Sequence, residues 1–255
     1  MTGALTLACA QVAGRSRLMT IRGEGLMRAS RPLPDERGAV RVVTATLGPG
    51  LLGGDFVRRD VDVATNATLI VAAQMATPIS AGDRPSRSES CARVAPGAEL
   101  YVPGEVLLPA ARSVHETTTE IDVCAGGFAL HAEIVALGAG ARLSTRTACR
   151  IDGRLVARDA CDLEGDGSER ALLTAIVVTA NDLRLGAVAT AFEAELAQAP
   201  LVRAGLGGTG SSVVIRARAA GVWPLQRLVE RMLAAARLTD SPGTAERRVG
   251  AILAL

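Results

Sequence analysis

Two carboxylates stand where an aliphatic chain gives them no obvious partner. Asp55 closes the stretch Leu47-Gly48-Pro49-Gly50-Leu51-Leu52-Gly53-Gly54-Asp55, two glycine turns around an apolar pair. Glu133 interrupts the apolar run His131–Leu137, and His131, two residues earlier, shares its face if the run is a strand. Burying even a neutral polar group without a partner costs about 2–7 kcal/mol, and a charge costs more. Such acids therefore need a counter-charge or a water-filled path. An imidazole and a carboxylate on one face could meet a divalent cation if further ligands converge; the competing reading is a salt bridge with one of the many arginines.

Other chemistry is poorly supplied. A phosphate-binding glycine loop needs a helix behind it, so that free N–H groups face the anion. A β pattern follows Gly50–Asp55, and another follows Gly205-Leu206-Gly207-Gly208-Thr209-Gly210. Both stretches are read as turns. There is no HExxH pair and no Gly-x-Ser-x-Gly elbow. His115 and His131 are read first as hydrogen-bonded structural residues. The five cysteines, Cys9, Cys91, Cys124, Cys149 and Cys161, contain no CxxC, which predicts free and mostly buried thiols. An enzyme would need a site assembled from distant residues such as His115, Cys124 and Asp159; an interaction module using the second helix is a further alternative.

The elements that must position these residues are strands. Asp60–Val71 alternates, with Val61, Val63, Leu69 and Val71 on one face, and the break at Ala64-Thr65-Asn66-Ala67 predicts a hairpin turn. Further strand-like pieces are Leu5–Leu7, Arg17–Ile21, Val40–Thr44, Leu100–Val102, Val106–Leu108, Thr117–Val123, Phe128–Val135, Arg142–Arg146, Leu155-Val156 and Ser212–Ala217. Ser30–Asp35 reads as a turn by its prolines, and Gly82–Arg93 and Asp162–Glu169 as exposed loops. Helices are expected from Leu183 to Gln198, capped by Asp182, and from Pro224 to Leu238, with Leu225, Leu228, Val229, Met232 and Leu233 as the second one's apolar stripe. The expected fold is mainly β: a stacked multi-sheet, β-helix-like body with two α-helices in the C-terminal third.

Composition narrows the function. All 28 basic residues are Arg, and the net charge of +2 is too small for a nucleic-acid footprint. No apolar run approaches the roughly 20 residues of a membrane span. The N-terminal run Met1–Cys9 lacks the charged region of a lipoprotein signal, so a cytoplasmic protein is expected. The tail Thr239–Leu255, with Pro242-Gly243, is expected on the surface or against a partner.

Several blocks, in order, resemble the urease accessory protein UreD family (UreH in some bacteria). Gly50–Asp55 is similar to its Gly-Gly-x-x-x-Gly-Asp region, and Thr68–Thr77 to the strand that follows at the same distance. Gly97–Pro103 and His131–Gly138 resemble two later blocks, Gly25–Pro32 an earlier turn, and Val213–Arg218 with the helix at 224–238 its C-terminal part. Departures are Ala139 after Gly138, a missing Gly-Glu pair, and the ending Ala245–Val249. The resemblance implies a single domain over 1–255, with a β body to about 180 and a helix-containing part beyond. It implies a non-enzymatic chaperone binding UreF, UreG and apo-urease, with no tightly bound cofactor. Nickel would be its transported ion, passing an internal polar tunnel lined by Asp55, Thr77 and Glu133. Oxygen donors suit a conduit, because imidazole and thiolate cages hold Ni²⁺ tightly.

Overall fold

The computed structural model describes residues 1–167, 170–199 and 202–239. The chain opens with a hairpin, β1 (Thr2–Val12) and β2 (Arg15–Gly25), then two short strands, β3 (Met27–Ala29) and β4 (Leu33–Pro34). It next winds through β5 (Val40–Thr46), β6 (Phe56–Val63), β7 (Thr68–Ala73), β8 (Thr77–Ile79), β9 (Ser86–Val94), β10 (Glu99–Pro109), β11 (Val114–Val123), β12 (Phe128–Ala136) and β13 (Arg142–Ile151). Two antiparallel strands, β14 (Arg154–Glu164) and β15 (Ala171–Thr179), end the winding. Then come α1 (Asp182–Ala197), β16 (Val202–Thr209), β17 (Ser212–Ala219) and α2 (Val222–Leu238).

The winding places successive strands in two facing sheets. A seven-stranded sheet has the order β14-β13-β11-β9-β6-β1-β2, and a ten-stranded sheet is built around β16-β17-β15-β12-β10-β7-β5-β3. Neighbouring coil strands run parallel, so the body resembles a two-sheet β-solenoid. This overturns the expected hairpin at Asp60–Val71. β6 belongs to one sheet and β7 to the other, and Ala64–Ala67 is a corner between them. Alternation shows which residues share a buried face; it does not say which strand is the hydrogen-bonded neighbour. Here Val61 and Val63 face Leu69 and Val71 across the interior, all in one core cluster.

The corners repeat. Ala64–Ala67, Ala95–Ala98 and Cys124–Gly127 each close with a bond from the fourth N–H to the first carbonyl. Each carries a left-handed third residue: Asn66, Gly97 and Gly126 at φ +59°, +68° and +77°. At the other end of the coils, Leu52–Asp55, Ala110–Ser113 and Gly138–Ala141 do the same, with Gly54, Arg112 and Gly140 left-handed. The glycine stretch ending at Asp55 is therefore a solenoid corner.

Other boundaries differ from expectation. Gly82–Arg93 is not all loop, because β9 fills Ser86–Val94; its inward serines hide the apolar alternation. β14 extends to Glu164, inside the expected acidic loop. Gly205–Gly208 lie within the edge strand β16 instead of a turn. Leu33-Pro34 forms a short edge strand, and Leu100–Leu108 is one strand with an irregularity between Val102 and Glu105. The cap of α1 is Asn181, one residue before the expected Asp182, with its Oδ1 accepting the Arg184 N–H at 3.0 Å. α2 starts at Val222, so Pro224 sits within the first turn, where its missing N–H costs no helical bond.

Both helices cover the outer face of the ten-stranded sheet. Leu185, Val188 and Phe192 of α1, with Leu225, Leu228, Val229 and Met232 of α2, pack on Tyr101, Phe128, Leu130, Ile134 and Val177. Asp35 and Arg237 tie α2 to the loop before β5 through two hydrogen bonds of 2.7 and 2.9 Å. The tail 240–255 lies outside the described residues, as do Ser168 and Glu169.

Candidate functional site

The solenoid interior changes chemistry along its strands. In the seven-stranded sheet, the inward positions towards the Ala64–Ala67 corner are apolar: Val61 and Val63, Ala92 and Val94, Ile121 and Val123. One step back, they turn polar. Pairing in register carries Arg59 to Ser90, Ser90 to Thr119, Thr119 to Thr147, and Thr147 to Asp159. The facing sheet supplies a matching row, Glu105 to Glu133, Glu133 to Thr174, and Thr174 to Arg216. A polar band thus runs across the strands between the two sheets. Arg59 and Glu105 bridge the sheets at one end, and Arg216 and Asp159 bridge them at the other.

At the Arg59 end the band encloses a cavity of about 20 Å³, room for a water molecule or two. Arg59, Thr77, Glu105, Thr117, Thr119, His131 and Glu133 are among its walls. Thr77, Arg59 and Glu105 also line a wider hollow of about 190 Å³, bounded by Gly48-Pro49-Gly50 and by Ala73–Pro78. Gly48 and Gly50 of this corner therefore wall a mouth. Gly50, at φ +101°, could not be another residue without collision, since an added Cβ would lie 2.1 Å from the Pro78 carbonyl oxygen. The Leu51 N–H donates to that same oxygen, fixing the mouth to β8.

The charges in the cavity are uneven. Arg59 donates to both Glu105 oxygens, at 3.0 and 3.2 Å. Burial alone would raise the Glu105 carboxyl, but the Arg59 guanidinium outweighs it and leaves the group below the ordinary glutamate range. Glu133 has no such partner among the described residues. Burial, reinforced by the neighbouring Glu105 and Asp159 charges, pushes it up to about 8. His131 is drawn down to about 4, chiefly by burial, so its imidazole is neutral. At neutral pH the site holds one ion pair, one protonated acid and one neutral imidazole. A cation entering it would take up the acid's oxygens and release its proton.

The sequence-predicted residues separate here. Thr77 stands in both cavities and Glu133 in the inner one, with His131 on its face as expected. Asp55 borders neither hollow. It accepts from the Met1 ammonium and from the Leu52 N–H at 2.8 Å, which outweigh burial and lower its carboxyl. It holds the corner beside the mouth. His115 is pinned between Ser86 Oγ at 2.8 Å and Ser88 Oγ at 3.1 Å, as a structural histidine should be. His115, Cys124 and Asp159 are not brought together: His115 lies at the start of β11 and Cys124 just past its end, about 30 Å apart in extended chain, and Asp159 is paired with Arg216. All five cysteines are free, with Cys9 and Cys149 buried and the other three half-buried.

Sequence reading missed Arg59 and Glu105. Glu105 follows an irregularity in β10 that breaks the alternation, and Arg59 is one arginine among many. A signal did exist for the hydroxyl wall: Ser88-x-Ser90, Thr117-x-Thr119 and Thr145-x-Thr147 recur one coil apart. Among the described residues no group of three or more His, Cys, Asp or Glu side chains converges as a metal cage, and no helix is long and apolar enough to cross a membrane.

Fold and cavity define a two-sheet solenoid of parallel coils, backed by two helices, with a polar band inside. Comparison with known families gives the particular one. Residues 1–249 match the family described as UreD urease accessory protein, and the chain belongs to it. Among similar curated proteins are three named urease accessory protein UreD. That of Mycolicibacterium gilvum (strain PYR-GCK) is 35% identical over 163 residues, 59% of either chain. That of Actinomyces naeslundii is 36% identical over 120 residues, 46% of this chain and 44% of the relative. That of Rhodopseudomonas palustris (strain BisA53) is 30% identical over 184 residues, 68% and 64%. Each match spans less than two thirds of the relative's length.

Proposed function

We propose that this protein is a non-catalytic accessory factor in urease maturation and that its polar band is a path for nickel. The observation that supports the reading is that Thr77, Arg59 and Glu105 line both hollows, and that Glu133 and His131 line the inner one. Ni²⁺ would enter past Gly48–Gly50 and Thr77 and meet Glu105 and Glu133 in turn. Asp55 contributes by holding the corner that shapes the entrance. Carboxylate and hydroxyl oxygens bind Ni²⁺ less tightly than imidazole or thiolate clusters, which suits a cargo that must leave. The partners on this reading are UreF, UreG and apo-urease, in the cytoplasm, with no resident cofactor.

The test is complementation. In cells making urease but lacking this protein, the wild-type chain restores activity under limiting nickel, and Glu105→Gln/Glu133→Gln does not, although both are recovered equally with urease. Full activation by the double variant would reject the path and leave a scaffold role standing. Failure of the wild-type chain to restore activity in its native host would reject the maturation role itself.

A further inference from the structure

We propose that Arg59 is a displaceable stopper: its guanidinium occupies the cation position at Glu105 when the path is empty, gives way to an entering divalent cation, and drives that cation onward by returning. This inference rests on the conduit reading and concerns how binding stays weak enough for release.

Three features support it. Arg59 lines both the outer hollow and the inner cavity, as do Thr77 and Glu105. Its hold is incomplete. The two terminal nitrogens bond Glu105, while the buried Nε has no hydrogen-bond partner. A guanidinium serving only to tie the sheets together would be expected to satisfy all its donors, since an orphaned buried donor costs about 1–3 kcal/mol. The outer hollow, about 190 Å³, is also large enough to receive the side chain when it swings away.

Charge gives the exchange its logic. Glu105 and Glu133 are register partners, and His131 lies on the same strand one step from Glu133. The Glu105 and Glu133 carboxylates are the oxygen donors for which a divalent cation and the Arg59 guanidinium would compete. Arginine stays protonated at every working pH, so its competition cannot be switched off by titration. The same device recurs at the far end, where Arg216 bridges to Asp159 from a largely exposed position. A cation would thus meet a guanidinium on a carboxylate at both ends of the band.

The experiment measures Ni²⁺ binding to the purified full-length chain by titration calorimetry, and its release to a chelator by stopped flow. Arg59→Gln should bind Ni²⁺ at least about tenfold more tightly and release it correspondingly more slowly, a shift of the size expected from removing a charge-assisted competitor. Glu105→Gln added to Arg59→Gln should abolish the gain. Arg59→Lys keeps the charge but loses the two-pronged grip, and should bind about threefold more tightly than wild type. Arg216→Gln, at an exposed position, tests the far stopper without straining the fold and should also slow release. Unchanged affinity and release in Arg59→Gln, or in Arg59→Lys should the glutamine variant not fold, overturns the stopper. Wild-type binding that ignores both Glu105→Gln and Glu133→Gln would instead reject the conduit, and the stopper with it.

Discussion

Two layers of one interior, built by the same strands a few residues apart, have opposite chemistry. Towards the Ala64–Ala67 corner, Val61, Val63, Leu69, Val94, Ile121 and Val123 make a dry layer. Beside it, Arg59, Ser90, Thr119, Glu105 and Glu133 make a polar one. In the seven-stranded sheet the backbone geometry hardly differs, since β6, β9 and β11 cross both layers in unbroken register. The difference teaches that the dry layer holds the coils together while the polar layer is tolerated by them. It is tolerated because its charges cancel: one ion pair at each end and a glutamate kept protonated between.

That contrast can be broken most severely in the dry layer. Leu69→Ala, at a position with no exposed surface, should cost about 2–5 kcal/mol, read as a lowered urea midpoint at unchanged slope. A smaller loss belongs to the tie between body and helix. Asp35→Asn removes two charge-assisted bonds to Arg237 and should cost about 1–3 kcal/mol. The hydrogen-bonded Arg237 guanidinium holds Asp35 at about 2, below its ordinary 3.8. Its contribution is therefore complete above that ordinary value and lost as pH falls towards about 2, so the variant should differ from wild type at neutral pH and converge with it in acid.

Glu133 behaves in the opposite sense. Its folded-state value, about 8, lies above the ordinary 4.5, so the fold favours the protonated form. The associated stability is complete below the ordinary value and lost as pH rises through about 8. Urea midpoints at about pH 6 and about pH 9 should show a decline in wild type that Glu133→Gln flattens. The smallest effect is expected at Thr117, whose buried hydroxyl has no hydrogen-bond partner. Thr117→Val should change stability by less than about 1 kcal/mol or raise it slightly, while a comparable swap in the dry layer would not be neutral.

The dry layer was also the legible one. Alternating Val61, Val63, Leu69 and Val71 announced strands and a buried face, and the stripe of the second helix fell where its spacing put it. Sheet membership was not legible, because periodicity is local and the coil partner of β6 is β9, beyond an intervening excursion into the other sheet. The polar layer hid itself for a related reason. Ser88 and Ser90 made β9 look like a loop, and Glu105 follows a break in the alternation of β10. Glu133 stood out because its surroundings are apolar, whereas Arg59 was lost among similar residues and became meaningful only opposite Glu105. Asp55 stood out equally, and its partner proved to be the Met1 ammonium, far away in sequence.

The most direct measurement is the nickel content of urease purified from cells carrying Glu105→Gln/Glu133→Gln, compared with the wild-type chain at equal accessory-complex recovery. The account predicts at least about a tenfold loss of nickel per urease with the double variant. Urease fully loaded by the double variant would contradict it.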